Sequence, residues 1–476
     1  MPTVIQGGMG VAVSSWQLAK AVSRVGQLGV VSGTALDVVL ARRLQDGDPG
    51  GHVRRALKHF PVPSMAQSVL KRFFRPGGRA PGQPYVPVPK LSLRPRARVL
   101  EVSLVANFAE VWLAKEGHDG LVGVNYLEKI QLATPSAAYG AMLAGVDYVL
   151  MGAGIPAEIP HLLDRLAAHE PCSLSVHVDG ATGPYSLGFG PEELTGGGLA
   201  PLSRPRFLAI ISAHVLATRL AREESSRPDG FVVEGPRAGG HNAPPRGRLI
   251  LDSGGQPVFG PRDDANLGII AEAGLPYWLA GGYSTPERVR EALSLGAEGA
   301  QVGTLFALAA ESGLEPALRD ALLAQLADGR LEVRTDPLAS PTGFPFKVVP
   351  LSGTLSDAGV YDSRPRICDV GHLRVPFERE PGAVGYRCPA EPVDAFVRKG
   401  GDASATVGRK CLCNTLLADV GLGQTRRDGY YERPLITLGA DLDGARELLT
   451  ARPCGWDAAE AVRYLLGELP EGRPRA

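Results

Sequence analysis

The sequence predicts an α/β protein built as a (β/α)8 TIM barrel with an insertion and a smaller C-terminal appended domain. Short apolar runs that end in glycine or asparagine alternate with helical patterns along the chain. Near-continuous apolar strands joined by helical crossovers are typical of a parallel sheet buried on both faces. Eight such strands favour a closed barrel over an open doubly wound sheet. A chain of 476 residues, 44% hydrophobic and 21% charged, can bury a core of this size.

The barrel is predicted to span residues 1–320, with its insertion at about residues 40–118. Its eight strands are predicted at Thr3–Gln6, Leu28–Ser32, Leu121–Tyr126, Tyr148–Met151, Phe207–Ser212, Phe231–Glu234, Tyr277–Ala280 and Ala300–Val302. Helices are predicted between them at Ser15–Val25, Ser136–Ala144, Ala213–Glu224 and Thr285–Leu295.

Three segments depart from the barrel pattern. The insertion carries a basic, proline-rich linker and an apolar run near Val99–Val105, which could be a ninth strand or part of a cap. Residues 172–200 begin with the alternation of a hairpin. Residues 321–476 lack the barrel pattern, contain five of the six cysteines and are interpreted as an appended domain.

Two glycine-containing turns at the end of the barrel predict a phosphate site. Ala280-Gly281-Gly282 and Gly303-Thr304 each follow a short apolar run and precede a helical pattern. Consecutive strand-to-helix turns without side chains leave backbone N–H groups directed into one pocket, and the following helix adds partial positive charge. The last two units of a (β/α)8 barrel bind phosphate in this way. The alternative interpretation is a pair of ordinary tight turns.

A second glycine motif, Gln6-Gly7-Gly8-Met9-Gly10, follows the first strand. Gly7 and Gly8 allow the backbone to approach a flat ligand, and Met9 can lie against a ring face. Asn125, at the end of the third strand, could hydrogen-bond the edge of such a ring. A flexible N-terminal turn is the alternative for the glycines.

A third motif runs from Glu234 to Asn242 after the sixth strand. Gly239 and Gly240 bring His241 to a loop at the C-terminal ends of the strands, where barrel enzymes place their chemistry. An imidazole there can take a proton or stabilise negative charge near neutral pH. A single histidine is more often a structural residue, but a position above a phosphate site favours a catalytic role for His241.

Together these motifs resemble the nitronate monooxygenase family, formerly called 2-nitropropane dioxygenase, over roughly residues 1–310. The resemblance implies a barrel with non-covalent FMN. It implies that His241 is a catalytic base or the electrostatic partner of an anionic substrate, and that Lys129 could supply positive charge to reduced flavin. The implied reaction oxidises an alkyl nitronate with O2 to a carbonyl compound and nitrite. The implied FMN contacts are the phosphate ligands Gly281, Gly282, Gly303 and Thr304, the isoalloxazine neighbours Gly8, Met9 and Asn125, and the glycines Gly7, Gly239 and Gly240.

The insertion and the segment after residue 320 lie outside that family pattern. The longer chain also resembles the related trans-acting enoyl reductases of polyketide and polyunsaturated fatty acid synthases. Such an enzyme would use NADPH to reduce a double bond of a substrate bound to an acyl carrier protein. A third possibility is a non-catalytic flavin-binding partner whose arginine-rich insertion meets an acidic carrier protein. The arginines concerned are Arg72, Arg75, Arg79, Arg94, Arg96 and Arg98.

Composition narrows the expected partners and compartment. Fifty basic residues balance fifty acidic residues, which argues against nucleic acid or an anionic membrane as a partner. The chain has no long apolar run and no basic leader, so we expect a cytoplasmic protein. The spacing of Cys368, Cys388, Cys411 and Cys413 is not that of a paired CxxC motif. We therefore expect buried, reduced cysteines and no metal, although zinc or an iron–sulfur cluster remains an alternative.

Overall fold

The structure, a computed structural model, describes residues 1–469, and the last seven residues of the predicted 321–476 segment lie outside them. Eight parallel strands form a closed barrel in the order β1-β10-β9-β8-β7-β4-β3-β2, which confirms the predicted fold. Each predicted strand agrees with the observed one to within one residue at either end. The barrel strands are β1 Val4–Gln6, β2 Leu28–Ser32, β3 Val122–Leu127, β4 Tyr148–Gly152, β7 Arg206–Ile211, β8 Gly230–Glu234, β9 Tyr277–Ala280 and β10 Gly299–Val302.

Six further strands pair as antiparallel hairpins outside the barrel. The predicted hairpin is confirmed, since Leu174 lies opposite Leu187 in the pair formed by β5 and β6. The other two hairpins belong to the segment after residue 320. The six strands are β5 Cys172–Ser175, β6 Ser186–Phe189, β11 Arg334–Asp336, β12 Phe346–Val348, β13 Val375–Glu380 and β14 Ala383–Arg387.

Helices cover the outside of the barrel, and the four that were predicted are observed to within two residues at each end. In chain order the helices are α1 Trp16–Arg24, α2 Leu36–Gln45, α3 His52–Leu57, α4 Pro63–Phe73, α5 Ala97–Lys115, α6 Thr134–Leu143, α7 Ile159–Ala167, α8 Pro191–Thr195, α9 His214–Arg222, α10 Leu267–Ala271, α11 Pro286–Ser294, α12 Thr304–Ala307, α13 Pro316–Ala327, α14 Ala358–Ser363, α15 Val393–Arg398, α16 Leu412–Ala418, α17 Asp443–Ala451 and α18 Ala458–Leu465. Short 3-10 turns lie at Pro49–Gly51, Glu128–Ala133, Glu224–Ser226 and Ala403–Thr406.

The apolar run near Val99–Val105 lies in α5 and is neither a ninth strand nor a cap. This helix is apolar around most of its circumference and packs against α1, α2 and α6 in the outer layer of the barrel. A helix enclosed on several sides loses the polar face that would mark its period in the sequence. The run therefore could not be distinguished from a strand by pattern alone.

Alternate side chains of the barrel strands fill its interior. The lower layers are apolar and include Val232 and Trp278, whose indole N–H donates to the Pro2 carbonyl at 2.8 Å. By the same alternation, one residue from each strand end forms the layer that closes the barrel at its C-terminal mouth. We call this set the top layer: Gly7, Ser32, Asn125, Gly152, Ile210, Glu234, Ala280 and Gln301.

The segment after residue 320 packs directly on the barrel. Helices α17 and α18 contact α11, α12, α13 and α1, and the Trp456 indole N–H donates to the Leu305 carbonyl at 2.9 Å. Arg364 forms a buried ion pair with Glu432, with the Nε and Oε1 atoms 2.6 Å apart. Residues 321–469 thus share apolar clusters with β1, α1 and α12.

Within residues 1–469, no helix combines the length and apolar character needed to cross a membrane. All six cysteines are free thiols. In the same range, the structure holds no group of three or more histidine, cysteine, aspartate or glutamate side chains arranged for a metal ion.

Candidate functional site

A large cavity opens at the C-terminal mouth of the barrel, with the top layer as its floor. Its volume is about 1540 Å³, including space open to solvent. Loops that follow seven of the barrel strands line it, together with residues contributed by the segment after residue 320. Eleven of the twelve residues that were predicted to form the site line this cavity: Gly7, Gly8, Met9, Asn125, Gly239, Gly240, His241, Gly281, Gly282, Gly303 and Thr304.

The two turns predicted to bind phosphate lie side by side, because β9 and β10 are neighbours in the barrel. Within residues 1–469, the amide N–H groups of Gly281, Gly282, Gly303 and Thr304 have no hydrogen-bond acceptor. Gly281 has φ +79°, and a Cβ atom there would lie 2.7 Å from the amide nitrogen of Ala238. Glycine is therefore required at this turn both for its backbone conformation and for space. Four unpaired donors in one concave surface suit the oxygens of a phosphate.

A segment after residue 320 closes over these turns. The Gly439 amide donates to Thr304 Oγ1 at 2.8 Å, and the Ala440 amide donates to the Arg237 carbonyl at 2.8 Å. Asp441 lines the cavity here, with its carboxylate accepting from the Ser284 amide at 3.1 Å. No motif in the sequence indicates that Gly439, Ala440 and Asp441 contact the turns after β9 and β10.

The motif after β1 lies beside the β3 end of the cavity. A Cβ atom on Gly8 would lie 2.4 Å from the Asn125 Cβ, so the backbone of this loop and the Asn125 side chain are in close contact. A Cβ atom on Gly303 would lie 3.3 Å from the Met9 sulfur. The Met9 side chain, carried by the loop after β1, thus reaches the turn after β10, where it can contact a ligand held by that turn.

His241 lies in the loop after β8, the strand next to β9, and the segment after residue 320 holds this loop in place. The Gly240 amide donates to Thr437 Oγ1 at 3.1 Å, and His241 Nε2 lies 2.7 Å from the hydroxyl of Ser340. The imidazole also packs edge-on against Phe346, with ring centroids 4.9 Å apart. Burial, assisted by the positive charge of Lys129, lowers the pKa of His241 to about 4. The imidazole is therefore neutral at pH 7.

Lys129 is the one predicted site residue that does not line the cavity. It lies in the 3-10 turn Glu128–Ala133, and its ammonium is 4.4 Å from the centroid of the Phe344 ring. The role predicted for Lys129 toward a flavin stays a prediction, and its positive charge acts at the site, since burial and this charge together lower the pKa of His241.

Glu234 lines the cavity but is not among the site residues predicted from the sequence. It ends β8 and is the charged member of the top layer, where it lies beside apolar Ile210 and Ala280 on the neighbouring strands. Burial raises the pKa of its carboxyl group to about 7. Within residues 1–469 the carboxylate has neither an ion-pair nor a hydrogen-bond partner of its own. The sequence contained the residue within a recognised motif, but its surroundings depend on which strands are neighbours.

His372, Cys413 and Asp37 also lie at or near the cavity and were not selected. His372 lines the cavity, and its Nε2 is 3.2 Å from Asp37 Oδ1, with both side chains more than nine-tenths buried. The imidazole lowers the pKa of Asp37 against the opposing effect of burial. Burial raises the pKa of the Cys413 thiol, so this cysteine is protonated at neutral pH.

A second pocket of about 960 Å³ joins the cavity at a neck formed by Ala153, Ile210, Glu234 and His241. Its walls are largely apolar and its rim carries Arg246, whose guanidinium donates to the carbonyls of Arg262 and Ser212 at 2.6 Å. The apolar wall residues are Ile155, Ile211, Leu216, Phe259 and Phe344.

Unpaired backbone amides and a neutral imidazole thus line one cavity at the C-terminal mouth of a TIM barrel, the place where such barrels hold ligands. Comparison with known proteins finds similarity over part of the chain. Residues 202–336 match the family model described as "Nitronate monooxygenase". The chain is 31% identical to the nitronate monooxygenase of Pseudomonas aeruginosa and 30% identical to that of Paraburkholderia phytofirmans. The chain is thus similar to nitronate monooxygenases over part of its length.

These alignments cover part of each protein. The first covers 35% of this chain and 41% of the Pseudomonas aeruginosa protein, and the second covers 37% and 45%. Among solved structures, nitroalkane oxidase from Streptomyces ansochromogenes is 16% identical, with a TM-score of 0.45 over 99% of this chain and 96% of that chain. The enoyl reductase domain of MlnA from Bacillus amyloliquefaciens is 11% identical, with a TM-score of 0.46 over 98% and 94%.

Proposed function

We propose that the protein is an FMN-dependent oxidoreductase that oxidises alkyl nitronates with O2 to a carbonyl compound and nitrite. The observation that carries this proposal is the set of unpaired amides after β9 and β10, in the same cavity as His241 on the loop after the neighbouring strand β8. The match of residues 202–336 to the nitronate monooxygenase family model supports the choice of reaction. FMN, when bound, would accept electrons from the substrate and pass them to O2.

The residues around the cavity fit the proposed cofactor. Gly281, Gly282, Gly303 and Thr304 would donate to the phosphate, since their amides have no partner within the described chain. Gly7, Gly8, Met9 and Asn125 would contact the ring system, because they line the part of the cavity between β1 and β3. Gly239 and Gly240 would position the loop that carries His241.

His241 would act on the substrate as a neutral group. Since the pKa of His241 is lowered to about 4, it cannot pair with an anionic nitronate as a cation at pH 7. Its Nε2 is engaged with Ser340, and its Nδ1 has no hydrogen-bond partner within residues 1–469. A hydrogen bond to a substrate oxygen is the contribution left to this side chain.

The experiment follows reduction of the bound flavin in the purified protein by a nitronate. The protein should be yellow, and added FMN should raise its melting temperature. Under anaerobic conditions, ethyl nitronate should bleach the flavin without any nicotinamide. The variant His241→Gln should keep FMN and lose most of the bleaching rate, whereas His161→Gln, on the exposed face of α7, should not differ from wild type. Colourless protein that does not bind FMN at micromolar concentration would refute the proposal.

One observation favours a second candidate, enoyl reduction with NADPH. The second pocket offers a long apolar space beyond the neck, which suits an acyl chain better than a short nitronate. An acyl carrier protein would then deliver the substrate. Bleaching of the flavin by NADPH, followed by turnover of an enoyl thioester, would select this reaction. FMN binding with no reduction by either donor would instead favour a non-catalytic partner protein.

A further inference from the structure

Glu234 is one of the four residues that line both the cavity with the unpaired amides and the second pocket. It lies at this neck with His241, and it is directed into the barrel mouth by the same alternation that buries Val232 below it. A ligand that occupies both spaces would lie against these two side chains. The carboxyl group is therefore positioned to contact the reacting part of a substrate.

The carboxylate is not used by the fold. Glu234 makes no ion pair and no side-chain hydrogen bond within residues 1–469, although partly buried carboxylates are normally paired. Its backbone is fixed, since β8 pairs with β9 in the register Glu234 to Ala280 and the next amide donates to the Ala280 carbonyl at 3.0 Å. A side chain held in position with no structural partner is available for a ligand.

We propose that Glu234, and not His241, is the group of the site that takes the proton when a neutral nitroalkane is the substrate. This inference rests on the proposed function. In the step, one carboxylate oxygen of Glu234 takes the proton from the carbon that bears the nitro group. The C–H bond breaks, an O–H bond forms on Glu234, and the electron pair moves to the nitro oxygens. The products are the nitronate and a neutral carboxyl group, so no oxidant is required.

The charge state of the site is consistent with this assignment. A carboxyl with a pKa of about 7 exists in both forms at neutral pH and can take and return a proton, whereas His241, with a pKa of about 4, is a much weaker base. After the transfer the neutral carboxyl no longer repels the nitronate. Burial is the cause of the shift in the Glu234 pKa. The other titratable side chains that line the cavity or the second pocket are His241, Arg237, Tyr283, His372, Cys413, Asp441, Arg246 and Asp263.

The test measures proton exchange, a step that does not itself require flavin reduction. The holoenzyme is incubated anaerobically with nitroethane in D2O, and loss of the CH2 proton signal is followed by NMR against a protein-free sample. Wild type should accelerate exchange, and Glu234→Gln should slow it at least about tenfold. Glu272→Gln makes the same chemical change on an exposed carboxylate outside both cavities and should match wild type. FMN content and melting temperature establish that each variant is folded.

Two results would overturn the assignment: no exchange by wild type, or exchange by Glu234→Gln at the wild-type rate. Loss of exchange in His241→Gln while Glu234→Gln stays active would assign the base to His241. Flavin bleaching by preformed ethyl nitronate reports separately on the proposed function. The ratio of the bleaching rates with nitroethane and with ethyl nitronate should fall at least about tenfold in Glu234→Gln.

Discussion

The backbone N–H of Gly439 donates a hydrogen bond to the hydroxyl oxygen of Thr304 over 2.8 Å. Thr304 begins α12 after the last barrel strand, and Gly439 belongs to the segment that packs over the barrel mouth. Because the Thr304 oxygen is an acceptor here, its own hydrogen stays free to donate to a phosphate oxygen. The segment after residue 320 thus orients a side chain of the proposed phosphate site.

Replacement of Thr304 by valine should weaken FMN binding and destabilise the fold. Valine keeps the branched shape but leaves the half-buried Gly439 N–H without its acceptor, which costs about 1 kcal/mol. FMN titration and thermal melting measure the two effects. Thr304→Ser retains the hydroxyl and should recover most of both. A valine variant that binds FMN like wild type would exclude the hydroxyl from the phosphate site.

Gly281→Ala should weaken FMN binding at least about tenfold, or about 1.4 kcal/mol. The new Cβ would meet the Ala238 amide at 2.7 Å, and φ +79° disfavours any side chain, so the turn that presents the amides must shift. Gly274→Ala is the matched control, because Gly274 has φ +64° with open space around it and lies outside the cavity. That variant should lose about 1 kcal/mol of stability and bind FMN normally. Equal FMN affinities in the two variants would contradict the assignment.

Glu234→Gln should be more stable than wild type at pH 8 and equally stable near pH 4.5. The pKa of Glu234 is raised to about 7 from 4.5, so the folded state binds more protons than the unfolded state between these values. The stability linked to this group is present below pH 4.5 and is lost as the pH rises through 7. The difference at pH 8 should be on the order of 2 kcal/mol, since the open cavity admits water. Urea unfolding at both pH values measures it, and an equal difference at the two would refute the assigned pKa.

His241→Gln should change the stability profile in the opposite direction. The folded pKa of His241 is lowered to about 4 from 6.5, so the unfolded state binds more protons between these values. Wild type therefore loses stability as the pH falls from 6.5 toward 4. The glutamine variant should lose less over that interval in the same urea experiment. Parallel profiles for the two proteins would show that the histidine is not held in its neutral form by burial.

Removal of Arg364 should strongly destabilise the segment after residue 320. Its side chain is 4% exposed and that of its partner Glu432 is 0% exposed, so Arg364→Met leaves a buried carboxylate with only the longer 3.4 Å contact to Arg426. The expected loss is about 3 kcal/mol. The double variant Arg364→Met/Glu432→Gln should recover part of it. Arg288→Met, which removes an exposed pair with Glu291, should cost less than about 0.5 kcal/mol in the same denaturation series.

The barrel could be predicted because each strand is a compact apolar run bounded by turn residues. Helix α5 could not be assigned as a helix or a strand, because its burial on several sides removes the polar face that would show its period. Residues in loops after the strands could be assigned to one mouth, since parallel strands place those loops together. Lys129 does not line the cavity, because it lies in a 3-10 turn and its ammonium contacts the Phe344 ring.

The remaining site residues depend on long-range packing that no local pattern encodes. Gly439 and Cys413 reach the cavity only because the segment after residue 320 folds back over the barrel. Glu234 was visible in its motif, but the burial that raises its pKa exists only when the barrel has closed.

The neck between the two cavities separates two tasks in space. The residues proposed to bind the cofactor line the first cavity, whereas the apolar walls of the second pocket belong largely to other loops. Substitutions in the walls of the second pocket could therefore change which substrates are admitted without weakening cofactor binding. For protein engineering, loops such as the one carrying Phe259 are the natural positions for a library aimed at new substrates.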